Sequence, residues 1–470
     1  MFYRLNEKLL LRGWQKLPYA VVNKADGHTF FVSKEVFDVL DLANGKIDFT
    51  LPMISDSQRA IAEKLVEDGA LIPSDVSGEI DNNQKYYFYD NRFMDAVHWS
   101  VTGRCNYKCK HCYMSACDNK YDELSHEDIM KIIDELAECG IHRISLTGGE
   151  ALVRKDFFEI VDALTKNDIV IRQVYSNGAL VNEKTLSEFE KRGLFPEFNM
   201  SFDGTEGYHE WLRGVPGADK AIDRAFRLCR EHGFPTGAEM CIHDRNKHTL
   251  RDTVNYLASV GCRSLKTNPI SNVGAWYENG YGPSIAMKDL FEIYLDYILK
   301  YYEDGKPLSI QLGGFFSASK EKDSYVIPVV KSQTDPDTFC VCGHARNHMY
   351  ISAEGRVLPC MALSGMEIQN IFPLITEYGL KNCLNDSTYL ELITTKAREV
   401  LNHNERCDRC EFANRCCGGC RAAALENNPH DIMAIDEAAC LIFKGGYIER
   451  INEAVKQAKC EKEETSCQRI

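Results

Sequence analysis

The sequence predicts an α/β protein built around a parallel sheet, and three observations carry that prediction. From residue 96 onward, apolar runs of strand length alternate with helical runs at a period of roughly thirty residues. Alternating β and α elements of this kind fold into parallel sheets. Short polar or glycine-rich motifs sit directly after the strand-like runs. Ligand groups in such folds gather on the loops that follow the strands. Cysteines are concentrated at 105–112 and again from 340 onward.

The chain has 470 residues, enough for two to three domains and a large core. Lys and Arg number 55 against 69 Asp and Glu, a net charge of −14. That balance excludes nucleic acid and an anionic membrane surface as the main partner. It permits a basic peptide segment. No apolar run reaches the length of a membrane span, and the start lacks a signal-peptide core, so a cytoplasmic protein is expected. Twenty cysteines in such a chain read as metal ligands rather than disulfides.

Residues 1–80 read as a small separate unit. Strands are expected at 18–23 and 28–32, joined at Asp26-Gly27, a dipeptide that favours hairpins. Ser33 can cap a helix running to Leu42, and a second helix fits 57–68, closed by Gly69. Hairpin plus helices resembles the winged-helix-like domain that binds leader peptides in ribosomal-peptide pathways. In that resemblance an extended leader adds a strand to the hairpin edge. A generic winged helix or a cap on the following domain fits the same pattern. Residues 81–95 read as a linker.

The six expected barrel strands lie at 96–101, 143–146, 169–175, 197–202, 236–242 and 264–268. Helices lie between them, among them one opened by Ser125-His-Glu-Asp128 and others at 156–167 and 218–232. The first strand leads into Cys105-Asn-Tyr-Lys-Cys109-Lys-His-Cys112. Gaps of three and two let one short loop aim three thiolates at one centre. Thiolates hold iron–sulfur clusters, and a cubane held by three keeps one iron open. Zinc knuckles and redox dithiols use similar spacing.

The loop, followed by Tyr113, resembles that of radical S-adenosylmethionine (SAM) enzymes, and the six units resemble their partial (β/α)6 TIM-like barrel, here spanning 96–310. The resemblance implies a [4Fe-4S] cluster on Cys105, Cys109 and Cys112 that binds SAM and cleaves it to a 5′-deoxyadenosyl radical. An external electron donor such as flavodoxin or ferredoxin is implied with it. Thr147-Gly-Gly-Glu150 follows the second strand; by resemblance Gly148, Gly149 and Glu150 hold the methionyl amine. Ser176-Asn177 follows the third strand and Ser201-Phe-Asp203 the fourth, positions that in the family meet ribose and methionyl groups. Arg213 resembles the arginine that meets the SAM carboxylate.

After a bridging region at 311–335, the cysteines return over 336–450: Cys340, Cys342, Gly355-x4-Cys360, then Cys407-x2-Cys410-x5-Cys416-x3-Cys420 and Cys440. This order resembles the cysteine-rich SPASM extension. By that resemblance Cys407, Cys410, Cys416 and Cys440 hold one auxiliary [4Fe-4S] cluster. Cys342, Cys360 and Cys420 hold another, with Cys340 as a candidate fourth ligand. Two tetrahedral zinc sites would use the same residue types. Cys117, Cys139, Cys229, Cys241, Cys262 and Cys383 fit no motif and read as small buried apolar residues. Residues 451–470 read as a charged, disordered tail.

A SPASM enzyme with a leader-binding unit resembles the RiPP maturases, such as the thioether-forming sactipeptide and ranthipeptide synthases. The expected function is therefore installation of thioether crosslinks in a precursor peptide with a leader. Carbon–carbon crosslinking belongs to the same class. Anaerobic sulfatase maturases share the barrel and both auxiliary clusters, but begin near the cluster loop and carry Asp after the Gly-x4-Cys cysteine; here Met361 follows Cys360. A non-catalytic iron–sulfur carrier would leave Gly148, Gly149, Glu150 and Arg213 without a role.

Overall fold

The computed structural model describes residues 1–118, 121 and 123–467. Its centre is a sheet of eleven strands. Seven of them run in chain order and all parallel: Ala96–Ser100, Arg143–Thr147, Val170–Ser176, Glu197–Ser201, Thr236–Ile242, Ser264–Pro269 and Ser309–Leu312. The six expected strands are thus present, each within a residue or two of its predicted start. The third begins at Val170 rather than 169 because Asp168 turns the chain with a φ of 55°.

Three features were not read from sequence. Ser309–Leu312 adds a parallel strand, and the hairpin Phe316–Ala318 and Tyr325–Val326 extends that edge into the expected bridging region. At the other edge His348–Ile351 pairs in parallel with Ala96–Ser100, so a cysteine-region segment completes the sheet. The end strands Tyr325–Val326 and Val357–Leu358 do not pair with each other, which leaves the barrel partial.

Residue alternation splits each strand between two environments. Val97, Trp99, Ile144, Leu146, Phe198 and Met200 face outward and are buried under the helices. Helix His126–Glu138 shows how its sequence makes this fit. Ser125 Oγ accepts from Asp128 N at 3.1 Å, and Ile129, Ile132, Ile133 and Leu136 fall on one buried face.

The N-terminal unit holds two small sheets and two helices, Lys34–Leu42 and Asp56–Glu67. One sheet pairs Phe2–Leu5 with Asn44–Asp48 and Leu71–Ser74. The other orders Thr29–Phe31, Leu17–Asn23, Leu9–Gln15 and Tyr87–Arg92. The expected hairpin is there, with Thr29–Phe31 at the sheet edge. The segment read as a linker is not one: Tyr87–Arg92 is a strand parallel to Leu9–Gln15. Its aromatic residues pack rather than span. Tyr89 stacks on Trp14 at 5.2 Å between ring centroids. Trp14 Nε1 and Asn91 Nδ2 both donate to Cys139 O, at 3.2 and 3.0 Å, and so tie the unit to the end of helix His126–Glu138. Gly140 makes that contact possible: its φ is 70°, and a Cβ there would lie 2.5 Å from the Tyr89 ring.

The tail expectation is also corrected. Tyr447–Cys467 is a helix, and Ile451, Val455 and Ala458 are buried against the core. Arg450 and Tyr447 both bond Glu292 on helix Met287–Glu303. Glu453 and Lys456 are exposed beside that buried stripe, and residues 468–470 of the expected tail lie outside the described residues. No described helix is long and apolar enough to cross a membrane.

Candidate active site

The cysteine loop leaves the strand Ala96–Ser100 at the carboxyl end of the sheet. Cys105, Cys109 and Cys112 lie close enough for each thiolate's charge to act on Cys105, and all three are free thiols. Burial pushes the Cys105 thiol up to about 12 and raises the other two. Such thiols ionise as a metal displaces their protons. The N–H of Tyr107 donates to Cys105 Sγ at 3.4 Å and that of Ala116 to Cys112 Sγ at 3.4 Å. A gathered, buried, hydrogen-bonded sulfur set fits an iron–sulfur cluster.

The two glycines of Thr147-Gly-Gly-Glu150 pack on the cluster loop itself. A Cβ at Gly149 would lie 2.3 Å from Arg104 O, and one at Gly148 2.6 Å from Thr102 O. Gly149 N donates to Thr102 O and Glu150 N to Arg104 O, both at 2.9 Å. Glycine is required there for backbone to meet backbone.

Glu150, expected at the methionyl amine, has partners within the protein. It is buried and accepts from Ser176 Oγ at 3.1 Å and from Asn177 N at 2.8 Å. Burial pushes its carboxyl up to about 7 against these hydrogen bonds. Glu150 and Ser176 therefore pair with each other. Asn177 turns to the cysteine loop: its Nδ2 donates to Asn106 Oδ1 at 2.8 Å and lies 3.8 Å from Cys105 Sγ.

Asp203 likewise has its partners within the protein. It is fully buried, and both oxygens are engaged: Arg213 Nε donates to Oδ2 at 2.6 Å and Cys241 N to Oδ1 at 3.0 Å. Burial opposes its ionisation, but the Arg213 guanidinium prevails and holds the carboxyl far below its usual range. Asp203 is thus an anchor for Arg213 and is not available to a ribose. Arg213 Nη1 in turn reaches 3.7 Å from Cys109 Sγ. His111, Asp203 and Cys241 offer ligand atoms within 4.8 Å of one another, but the Arg213 cation occupies Asp203. Tyr113 is packed below the loop, its hydroxyl 3.4 Å from that of Tyr350, which bonds Ser100 Oγ at 2.7 Å. Ser201 ends its strand on the inner face, half-buried.

That inner face escaped sequence reasoning. Side chains in (β/α)8 barrels usually fill the interior with bulky apolar groups. Here it is polar and hollow, with a cavity of about 480 Å³ lined by Gln173, Tyr175, Asn199, Glu239, Lys266 and Gln311 among others. Gln173 Nε2 donates to Glu197 Oε2 at 3.0 Å, and Lys266 faces Glu239 at 3.6 Å. His98 lies against Tyr175 at 4.6 Å and is pushed down to about 4 by burial and then by Lys266. Strict polar alternation in a parallel strand was the available signal, since buried parallel strands are usually apolar throughout.

The second cysteine region forms two groups. Cys407, Cys410, Cys416 and Cys440 line one cavity beside Phe412 and Phe443. Cys342, Cys360 and Cys420 are near enough to act on one another's ionisation. Lys266 acts on Cys360 as well, so this second group adjoins the barrel interior. Cys340 stands apart from the set expected to include it. Its sulfur accepts from Arg346 Nη2 at 2.9 Å and Lys396 Nζ at 3.2 Å. The reason is local: Cys340 bridges Lys396 in a strand-like contact, whereas Cys342 opens the 3-10 turn Gly343–Arg346 and points elsewhere. The convergent free thiols of both groups fit iron–sulfur clusters.

Comparison with known proteins adds the following. Residues 99–257 match the radical SAM superfamily and residues 340–411 the SPASM iron-sulfur cluster-binding domain. The antilisterial bacteriocin subtilosin biosynthesis protein AlbA of Bacillus subtilis is 23% identical over 92% of this chain and 94% of its own length. A PqqA peptide cyclase of Granulibacter bethesdensis is 25% identical over 76% of this chain and 88% of its own. The fold resembles Streptococcus suis SuiB bound to its precursor peptide SuiA, with a TM-score of 0.64 at 16% identity, over 93% of this chain and all of that one.

Proposed function

We propose that this chain, which carries a radical SAM domain and a SPASM domain, is a maturase that installs thioether crosslinks in a ribosomally made precursor peptide. It is an enzyme whose cofactors are SAM, a SAM-binding [4Fe-4S] cluster and auxiliary iron–sulfur clusters. The supporting observation is a hollow polar barrel interior, in a chain whose N-terminal unit carries the sheet-edge strand Thr29–Phe31. Relatives named for peptide cyclisation and bacteriocin biosynthesis support the same substrate class.

In this reading Cys105, Cys109 and Cys112 hold the SAM-binding cluster. Cys407, Cys410, Cys416 and Cys440 hold one auxiliary cluster, and Cys342, Cys360 and Cys420 supply three ligands to the other. With SAM bound, the first cluster would supply the radical chemistry that removes one hydrogen atom from the peptide, and an auxiliary cluster would accept the electron left over. Arg213, fixed by Asp203, meets the SAM carboxylate; Gly148, Gly149 and Asn177 shape the loop that faces it. The edge strand Thr29–Phe31 pairs with the leader, helped by the exposed rings of Phe30 and Phe31. An external one-electron carrier such as flavodoxin or ferredoxin reduces the first cluster.

The test is mass spectrometry of a cysteine-containing precursor peptide incubated with the reconstituted enzyme. Each thioether removes two hydrogens, so the peptide should lose about two daltons per link. Prior alkylation of its thiols should block the reaction. Continued crosslinking of the alkylated peptide would assign carbon–carbon bond formation instead. Activity on a sulfatase fragment alone would overturn the substrate class.

A further inference from the structure

We propose that the surface around the short helix Tyr208–Arg213 is the docking site for an acidic one-electron carrier protein. The proposal rests on the reading above that loop 105–112 holds the cluster to be reduced.

Two cations meet at this helix, and the backbone of a third basic residue adjoins it. Lys110 Nζ lies 5.5 Å from the Trp211 ring centre and the Arg245 guanidinium 4.1 Å. Lys108 packs on the helix end, where a Cβ on Gly214 would touch its carbonyl oxygen and approach its Cβ to 3.7 Å. Lys108 and Arg245 are exposed. Among the described residues, none of the three forms an ion pair. Nearby acidic groups are already engaged: Asp244 with Lys247 at 2.8 Å, Glu206 with His248 at 3.6 Å, and Glu210 with Gly217 N at 2.6 Å. On a chain with fourteen more acidic than basic residues, a group of uncommitted cations runs against the overall charge.

Position supplies the second argument. Lys108 and Lys110 flank Cys109. Lys110 N donates to Leu212 O at 2.9 Å, and Arg213 Nη1 lies 3.7 Å from Cys109 Sγ. Cationic surface and cluster sulfur are therefore held by one small unit, with little protein between them. The half-buried Trp211 indole offers a flat apolar centre inside a charged rim, the arrangement that anchors protein interfaces. Complementary charge mainly raises the association rate and is screened by salt. The step itself moves one electron: the carrier is oxidised by one, the cluster is reduced by one, and no bond or proton changes.

The experiment compares the holoenzyme with R245E, which lies outside the cysteine loop. Flavodoxin, a small acidic flavoprotein, is the probe. Binding of oxidised flavodoxin is measured by calorimetry, and cluster reduction by reduced flavodoxin is followed by stopped-flow absorbance at low and high salt. The variant should bind and be reduced at least about tenfold more weakly at low salt, and lose most of its salt dependence. SAM cleavage driven by dithionite should stay at the wild-type level. Equal flavodoxin affinity and reduction rate in the two proteins would overturn the docking site. If R245E also loses dithionite-driven cleavage, R245Q decides by its flavodoxin affinity. A wild-type holoenzyme that fails with dithionite would instead refute the cluster reading.

Discussion

Replacing Asp203 by Asn tests the anchoring of Arg213. The carboxylate is fully buried, 2.6 Å from Arg213 Nε, and Asn would keep its size and its bond from Cys241 N while losing the charge. Removing one member of a buried ion pair costs about 3–5 kcal/mol because the other charge is left uncompensated. The retained Cys241 contact and the Cys109 sulfur near Arg213 place D203N at the lower end, about 3 kcal/mol. That cost falls first on the folded protein; the part of it that displaces Arg213 lowers SAM affinity, by at most roughly a hundredfold at about 1.4 kcal/mol per decade. Equilibrium dialysis of labelled SAM against the reconstituted protein measures it directly. The decisive version is a double-mutant cycle with R213Q. If Asp203 acts only through Arg213, the double variant should bind SAM no more weakly than R213Q alone. Additive losses, or a D203N enzyme that binds SAM as the wild type does, would refute the anchoring role.

Two further outcomes follow from the site and the N-terminal unit. Burial raises Glu150 from its ordinary value to about 7, so the folded protein binds a proton more tightly than the unfolded chain between about pH 4.5 and 7. Stability from this group should decline as pH rises through that window, and E150Q should flatten the decline in thermal midpoint of the cluster-free protein; an unchanged slope would exclude Glu150 as its source. In the edge strand, Val32 N bonds Tyr19 O and Asn23 N bonds His28 O, which turns the Phe31 N–H outward. F31P should weaken leader binding in fluorescence anisotropy by about tenfold or more while SAM cleavage without peptide stays unchanged, since proline cannot donate to an added strand; wild-type leader affinity would rule out this edge.

Legibility followed the physics of each signal. The strand–helix rhythm and the cysteine spacings are local, and the six predicted strands reflect that. The strand Tyr87–Arg92 was hidden because its role is set by partners distant in sequence: Tyr89 and Trp14 look like linker aromatics until they stack. The helix Tyr447–Cys467 was hidden because its charges dominate composition while six buried positions (Tyr447, Ile448, Ile451, Ala454, Val455 and Ala458) suffice to make its stripe. Motif residues were found, but their partners were not. A Gly-Gly-Glu triplet does not reveal that Glu150 will be taken by Ser176, or that Asp203 will be spent on Arg213 rather than offered to a ligand.

These contacts share a direction. Glu150 and Asp203 hold the cysteine loop and Arg213 within the protein. Glu150 fixes the turn at Ser176-Asn177, and Asn177 reaches back to Asn106 beside Cys105. Asp203 fixes Arg213, which reaches Cys109. Two buried carboxylates, after the second and fourth strands, thus brace the cysteine loop. A centre that must keep its geometry while its charge changes gains most from such support, because supporting groups restrict the rotamers of those that make contact. The polar interior beyond them is left free, with Lys266 between the SAM side and Cys360 of the second cysteine region. A substrate held in that interior would meet the radical source at one end and an electron acceptor near the other, which is the order that hydrogen-atom removal followed by oxidation requires.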